Sequence, residues 1–136
     1  MHEEFVKMEY ASIPNGRYEI SEIVQNIKGV LIDLDDEINR VSIFFENTVL
    51  ALRVCDEGDR LRTIQGVLAN KGDSFFVGWP IYIVKNSEFS KWFENETFEI
   101  RKQESFKHFA IVTPNDVVDI LSNHEPKIQV SKLLVD

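Results

Sequence analysis

One cysteine, two methionines and six scattered glycines stand among 136 residues, and each shortage removes a class of explanation. With Cys55 alone, no internal disulfide and no Cys-x-x-Cys redox or zinc pair is possible, and a reducing compartment is favoured. None of the glycines builds a phosphate-cradling loop between a strand and a helix. Neither a nucleophile elbow nor a His-Glu-x-x-His pair is present. Basic residues are scarce too: 15 Lys and Arg against 23 Asp and Glu leave a formal net charge of -8. Such a field repels phosphate backbones, and Arg101, Lys102 and Lys107 make at most a small local patch, so nucleic acid is not an expected partner. No apolar run reaches the length of a membrane span, and Met1–Phe5 lacks the basic and apolar regions of a secretory signal. A cytoplasmic protein, monomeric or weakly oligomeric and off the membrane, is the expectation.

What is present reads as a folded domain. The chain is 43% hydrophobic and 28% charged, with no repeat, low-complexity tract or linker, so residues 1–136 are expected to form a single domain. Ten phenylalanines point to a core of aromatic and β-branched side chains, which favours sheet. Pro14-Asn15-Gly16 is a turn signal. Residues 18–28 are ambiguous: Ile20, Ile23, Val24 and Ile27 recur at helical spacing, yet the run leads straight into a strand. From Gly29 the period becomes two, with Val30, Ile32 and Leu34 on one face. Asp35-Asp36-Glu37 makes a hairpin tip, and Val41, Ile43 and Phe45 return. Glu46-Asn47 turns into a third strand over Leu50–Val54, so the three predict an antiparallel meander.

Leu61, Ile64 and Leu68 fit a short helix or turn. Phe75, Val77, Trp79, Ile81 and Ile83 alternate as a fourth strand, placed at an edge or bulged because Pro80 lacks a donor. Phe89, Trp92 and Phe93 form the buried stripe of a helix. Thr113 as cap, Pro114 at the first helical position and Asp116 three residues after the cap predict a further helix with Val117, Val118, Ile120 and Leu121 inward. Phe106–Val112 alternates as a fifth strand, and Lys127–Val130 forms a short last one. The expected fold is α+β: an antiparallel sheet of five or six strands with two or three short helices packed on it.

No constellation of catalytic residues emerges. His2, His108 and His124 are not brought together by spacing, and His108, in an alternating strand, reads as a partly buried, hydrogen-bonded residue. Cys55 lies beside Asp56 and Glu57, which disfavour a thiolate, so it reads as a small buried thiol. The acidic groups Asp33–Glu37 and Asp56–Asp59 lack the ligand pattern of a calcium loop and read as solvated turns. No cofactor and no metal is expected. Trp92 reads as core, whereas Trp79, beside Pro80, fits core and binding anchor equally.

The acidic hairpins, the run Phe75-Phe76-Val77-Gly78-Trp79-Pro80 and the segment His108–Asp116 resemble small bacterial immunity proteins, the partners of polymorphic or contact-dependent growth-inhibition toxins. The resemblance implies a non-enzymatic protein that neutralises one cognate toxin domain, often a nuclease, by tight binding at or near its active site. An acidic surface suits a basic, phosphate-holding site, and steering by charge speeds encounter. The expected partner-binding set is Asp56, Glu57 and Asp59 with Glu94, Glu96 and Trp79; the tip Asp35, Asp36 and Glu37 is the second choice. Two other readings stand beside it: a ligand-binding or regulatory domain with an apolar pocket among the phenylalanines, and a small hydrolase whose acids act in a cleft.

Overall fold

The computed structural model describes residues 3–9 and 12–133. In chain order the strands are β1 (Glu4–Lys7), β2 (Glu19–Asn26), β3 (Gly29–Asp35), β4 (Asn39–Glu46) and β5 (Val49–Asp56), then β6 (Ile81–Lys85), β7 (Lys107–Val112), β8 (Asp116–Ser122) and β9 (Lys127–Lys132). Helix α1 (Leu61–Lys71) lies between β5 and β6, and α2 (Glu88–Glu96) between β6 and β7. Among the described residues no helix is long and apolar enough to cross a membrane.

The fold is α+β and its strand pairing is antiparallel, as the alternation requires. The strands, however, divide between two sheets: a five-stranded one in the order β1-β6-β7-β8-β5 and a four-stranded one in the order β2-β3-β4-β9. The two pack face to face. Val30, Ile32, Leu34, Val41, Ile43 and Phe45 from the smaller sheet interlock with Ile81, Phe109, Ile111, Val118 and Ile120 from the larger. Both helices cover the other face of the larger sheet. Ile64 and Val67 of α1 meet Tyr82, Ala110, Val112 and Val117, while Phe89 of α2 meets Phe106 and Leu121. The result is three layers with the five-stranded sheet buried on both sides.

Local chemistry explains most of the turns. At Gly29 φ is 138°, and a Cβ would overlap the Phe45 carbonyl, so the tight β2–β3 hairpin needs glycine there. Asp36 holds the β3–β4 tip by accepting from the Ile38 and Asn39 amides at 2.8 and 2.6 Å. Ser87 caps α2, its hydroxyl accepting from the Ser90 amide at 2.9 Å.

Residues 19–26, whose spacing fits helix and strand alike, are strand. Several expectations are corrected. β3 and β4 do form a hairpin, but β5 leaves the meander: the turn at Asn47 (φ 46°) carries the chain to the other sheet, where β5 pairs with β8. The strand expected from Phe75 starts only at Ile81. Phe75–Gly78 turns instead, and Pro80 stands just outside β6, which is interior between β1 and β7 rather than at an edge. The helix expected from Thr113 is the β7–β8 hairpin. Thr113 Oγ1 does accept from the Asp116 amide at 3.0 Å, as a cap would, but Val117–Leu121 is buried at every position. An amphipathic helix buries one stripe; a central strand covered on both faces buries all, and β-branched residues suit it. Cys55 is half-buried on β5 rather than enclosed. Trp92 is not core: it is 51% exposed, stacked on Phe89 with centroids 5.7 Å apart.

Candidate functional site

Two places concentrate polar chemistry. The first is one end of the sandwich. The β3–β4 tip, the segment 14–18, the turn after β5, the segment 73–80 and the β7–β8 turn all meet there. Hydrogen bonds tie them together: Gly16 N donates to Gly78 O at 3.2 Å and Glu57 N to Asn115 O at 2.9 Å along the backbone, and the Asn115 side chain donates through Nδ2 to Glu19 Oε1 at 3.3 Å. Between them opens a cleft of about 380 Å³. Its walls are apolar (Ile64, Leu68, Phe76, Trp79, Pro80, Val112, Pro114), and Arg17, Glu57 and Asp73 stand at it. Arg17 also lines a shallower depression with Glu19, Asp35, Asp36 and Glu37. An apolar floor with two carboxylates and one guanidinium at its rim is thus assembled from segments far apart in sequence.

Most of the expected binding set lies at this end, in different states of freedom. Asp56 and Asp59 are exposed and Glu57 is half-buried. Asp56 Oδ1 accepts from Gly58 N at 2.8 Å, capping the short turn Glu57–Asp59. Trp79 is half-buried on the cleft, its indole N–H donating to Ile81 O at 2.9 Å, so it is both anchored and presented. Asp35 is held by Arg40 through bonds of 2.8 and 3.0 Å, which lower its carboxyl below the usual range. Glu37 is exposed.

Glu94 and Glu96 do not join this group, which corrects the expected set. Asp56 pairs with Asp116 at one end of β8, whereas α2 runs toward the other: Phe93 packs on Phe106, and Lys107 pairs with Ser122. The two ends of that strand are about 20 Å apart at roughly 3.3 Å per residue. Glu94 is also engaged, accepting from Gln103 N at 2.9 Å and Gln103 Nε2 at 3.1 Å, with its carboxyl lowered by those bonds.

The second place is a buried network that the sequence did not announce. On the helix-facing side of the larger sheet, Asp119 of β8 has no exposed surface. Its Oδ1 lies 2.7 Å from His108 Nε2; its Oδ2 accepts from Arg53 Nε at 3.0 Å and from Arg60. His108 Nδ1 meets the Ser87 hydroxyl at 2.6 Å. The Arg53 guanidinium rests over the Phe89 ring, 4.2 Å from its centroid. Burial by itself would raise the Asp119 carboxyl. The His108 hydrogen bond and the charges of His108, Arg53 and Arg60 outweigh it and hold the group at about 2.

Serine, histidine and aspartate in series resemble a nucleophilic triad, but this geometry positions elements. The Ser87 hydroxyl already caps α2, the His108 side chain is 1% accessible, and a nucleophile needs room for its substrate. The network instead joins β5, β7, β8, α2 and the start of α1 through one carboxylate. The visible signal is a charged residue inside the apolar run Val117–Leu121. His108 is as expected hydrogen-bonded, and more deeply buried than expected. His124 lies exposed in the β8–β9 turn, and the expectation for His2 falls outside the described residues. Among the described residues no group of histidine, cysteine and carboxylate side chains is arranged to hold a metal ion.

No family model matches the chain, and no curated protein or solved structure is similar to it.

Proposed function

We propose that this protein is a non-enzymatic binding protein of the immunity type, which neutralises a cognate toxin domain by covering a basic active site in the cytoplasm of the producing cell. The observation that carries the reading is the convergence at one end of the sandwich. The acidic turns Asp35–Glu37 and Asp56–Asp59 stand at the same end as an apolar cleft lined by Trp79 and Glu57, although the sequence separates them widely. A rim of carboxylates speeds encounter with a cation-rich site, and an aromatic anchor in an apolar floor slows release. A rigid scaffold presents these loops, as tight recognition requires.

The test is association kinetics with the toxin domain that a pull-down from the native host recovers. Glu57→Lys with Asp59→Lys leaves the Asp56 cap intact. It is expected to slow association about tenfold at low ionic strength and to flatten the salt dependence. An unchanged on-rate removes these carboxylates from the interface. Coexpression that fails to rescue cells from that toxin ends the reading altogether.

The cleft also favours a second reading, binding of a small apolar ligand between Trp79, Phe76 and Leu68. A compound that raises the melting temperature and perturbs the Trp79 indole, with no protein partner found, would support it.

A further inference from the structure

The two sheets leave four edges among the described residues, and three are guarded. β1 is four residues long. β2 carries Glu19 and Glu22 and has a register shift between Ile20 and Glu22. β9 begins and ends on lysine. Short length, charge and bulges are the devices by which native sheets refuse a further strand. β5 has little of this protection. It is eight residues long and pairs on one side with β8; its one register shift lies at its start, between Val49 and Ala51, and from Ala51 to Asp56 the register is unbroken. Its mid-strand charge, Arg53, is drawn to the buried Asp119, and Val54 is 49% exposed.

Beside this edge runs a groove of about 450 Å³, lined by Ala51, Leu52 and Arg53 from β5 and by Glu88, Phe89 and Trp92 from α2. Trp92 forms its half-exposed wall and Phe89 its inner one. An open strand edge next to a helix wall is the arrangement into which an extended segment adds: main-chain bonds run to the edge, and alternate side chains enter the groove.

We infer that β5 is a docking edge for an extended, basic segment of another protein. Charge decides between that occupant and a second copy. Two copies bring -8 to -8, and Arg53, the cation of the edge, is already committed to Asp119. The edge ends at Asp56, opposite Asp116, with Glu57 and Asp59 following directly. The segment that fits carries an apolar side chain against Phe89 and Trp92 and a lysine or arginine at the end lying by Asp56. The groove is separate from the Trp79 cleft, but the basic end of the segment shares Asp56, Glu57 and Asp59 with the toxin reading; loss of the response at residues 51–55 and Trp92 with toxin association intact would sink this inference alone.

The probe is a panel of acetylated octapeptides alternating lysine with valine, leucine or phenylalanine, titrated into the whole protein and read by amide and indole resonances. Expected are shifts concentrated on residues 51–56 and the Trp92 indole. Methylating alternate peptide nitrogens, which deletes the main-chain donors, is expected to weaken binding by about tenfold or more. Val54→Lys is expected to do the same while leaving the remaining spectrum in place. Shifts centred on Trp79, equal binding by methylated peptides, or no response at β5 from any member of the panel would overturn the inference. Dimers of the protein alone that Val54→Lys dissociates would overturn the occupant and give the edge to a second copy.

Discussion

Ile120 and Asp119 are neighbours on β8, equally enclosed, and stabilised by opposite means. Ile120 faces the smaller sheet among Phe109, Ile111, Val41 and Ile43, an apolar interface in which volume and pattern suffice. Asp119 faces the helices and is held by His108, Arg53 and Arg60, each bond with its own direction. The sandwich face tolerates a small change of shape. The helix face fixes which residue meets which, and so fixes where α1 and α2 sit. One strand thus separates non-directional cohesion from directional placement.

That contrast predicts unequal responses. Asp119→Ala leaves two guanidinium groups and an imidazole without their carboxylate, an expected loss of about 3–5 kcal/mol, whereas Ile120→Val next door is expected to cost about 1 kcal/mol. Urea midpoints of the two variants measure this; a loss at Asp119 no larger than that at Ile120 would mean that the network is dispensable.

Acid gives the next largest effect. The folded Asp119 carboxyl stays ionised down to about 2, below its ordinary value of 3.8, so its contribution is fully present above about pH 4 and is lost as pH falls toward 2. The expected loss is about 2 kcal/mol from this one group. Asp35 and Glu88 are lowered as well, by Arg40 and Arg62, but their exposure to solvent keeps their share small. Urea midpoints between pH 5 and pH 2 should follow a slope that Asp119→Asn flattens. The smallest expected change is at Ser87→Ala, about 1 kcal/mol, since it removes the α2 cap and one His108 partner but leaves the carboxylate satisfied. Faster amide exchange confined to the first turn of α2 is its signature, and loss of the whole exchange-protected core would contradict it.

The segments legible in the sequence were those whose period was enforced by one neighbour. β3 and β4 show alternation because their faces differ, and α2 shows its stripe because only one side is buried. Residues 113–122 were misread for a physical reason: Thr113-Pro114-Asn115-Asp116 makes the same side-chain bond in a hairpin turn as at a helix start. The run that follows carries no period, because the larger sheet is covered on both faces. Trp92 sits on the expected stripe, but the stripe is wider than the surface available to cover it. At the candidate site, the acidic turns could be read as solvent-facing, while their meeting around Trp79 depends on bonds such as Gly16 to Gly78 and Glu57 to Asn115.

The order of residues alone settled the class of fold, the hairpin tip at Asp36, the helix carrying Phe89, Trp92 and Phe93 and the anionic balance of the chain, because each depends on composition or on neighbours a few positions apart. Only the folded molecule decided that β5 crosses to a second sheet, that Asp119 is buried among cations, and that one end brings the acidic turns to the same side as an apolar cleft. Those outcomes join residues some sixty or more positions apart in several cases, as Arg53 is from Asp119, and no local preference encodes a pairing across that distance.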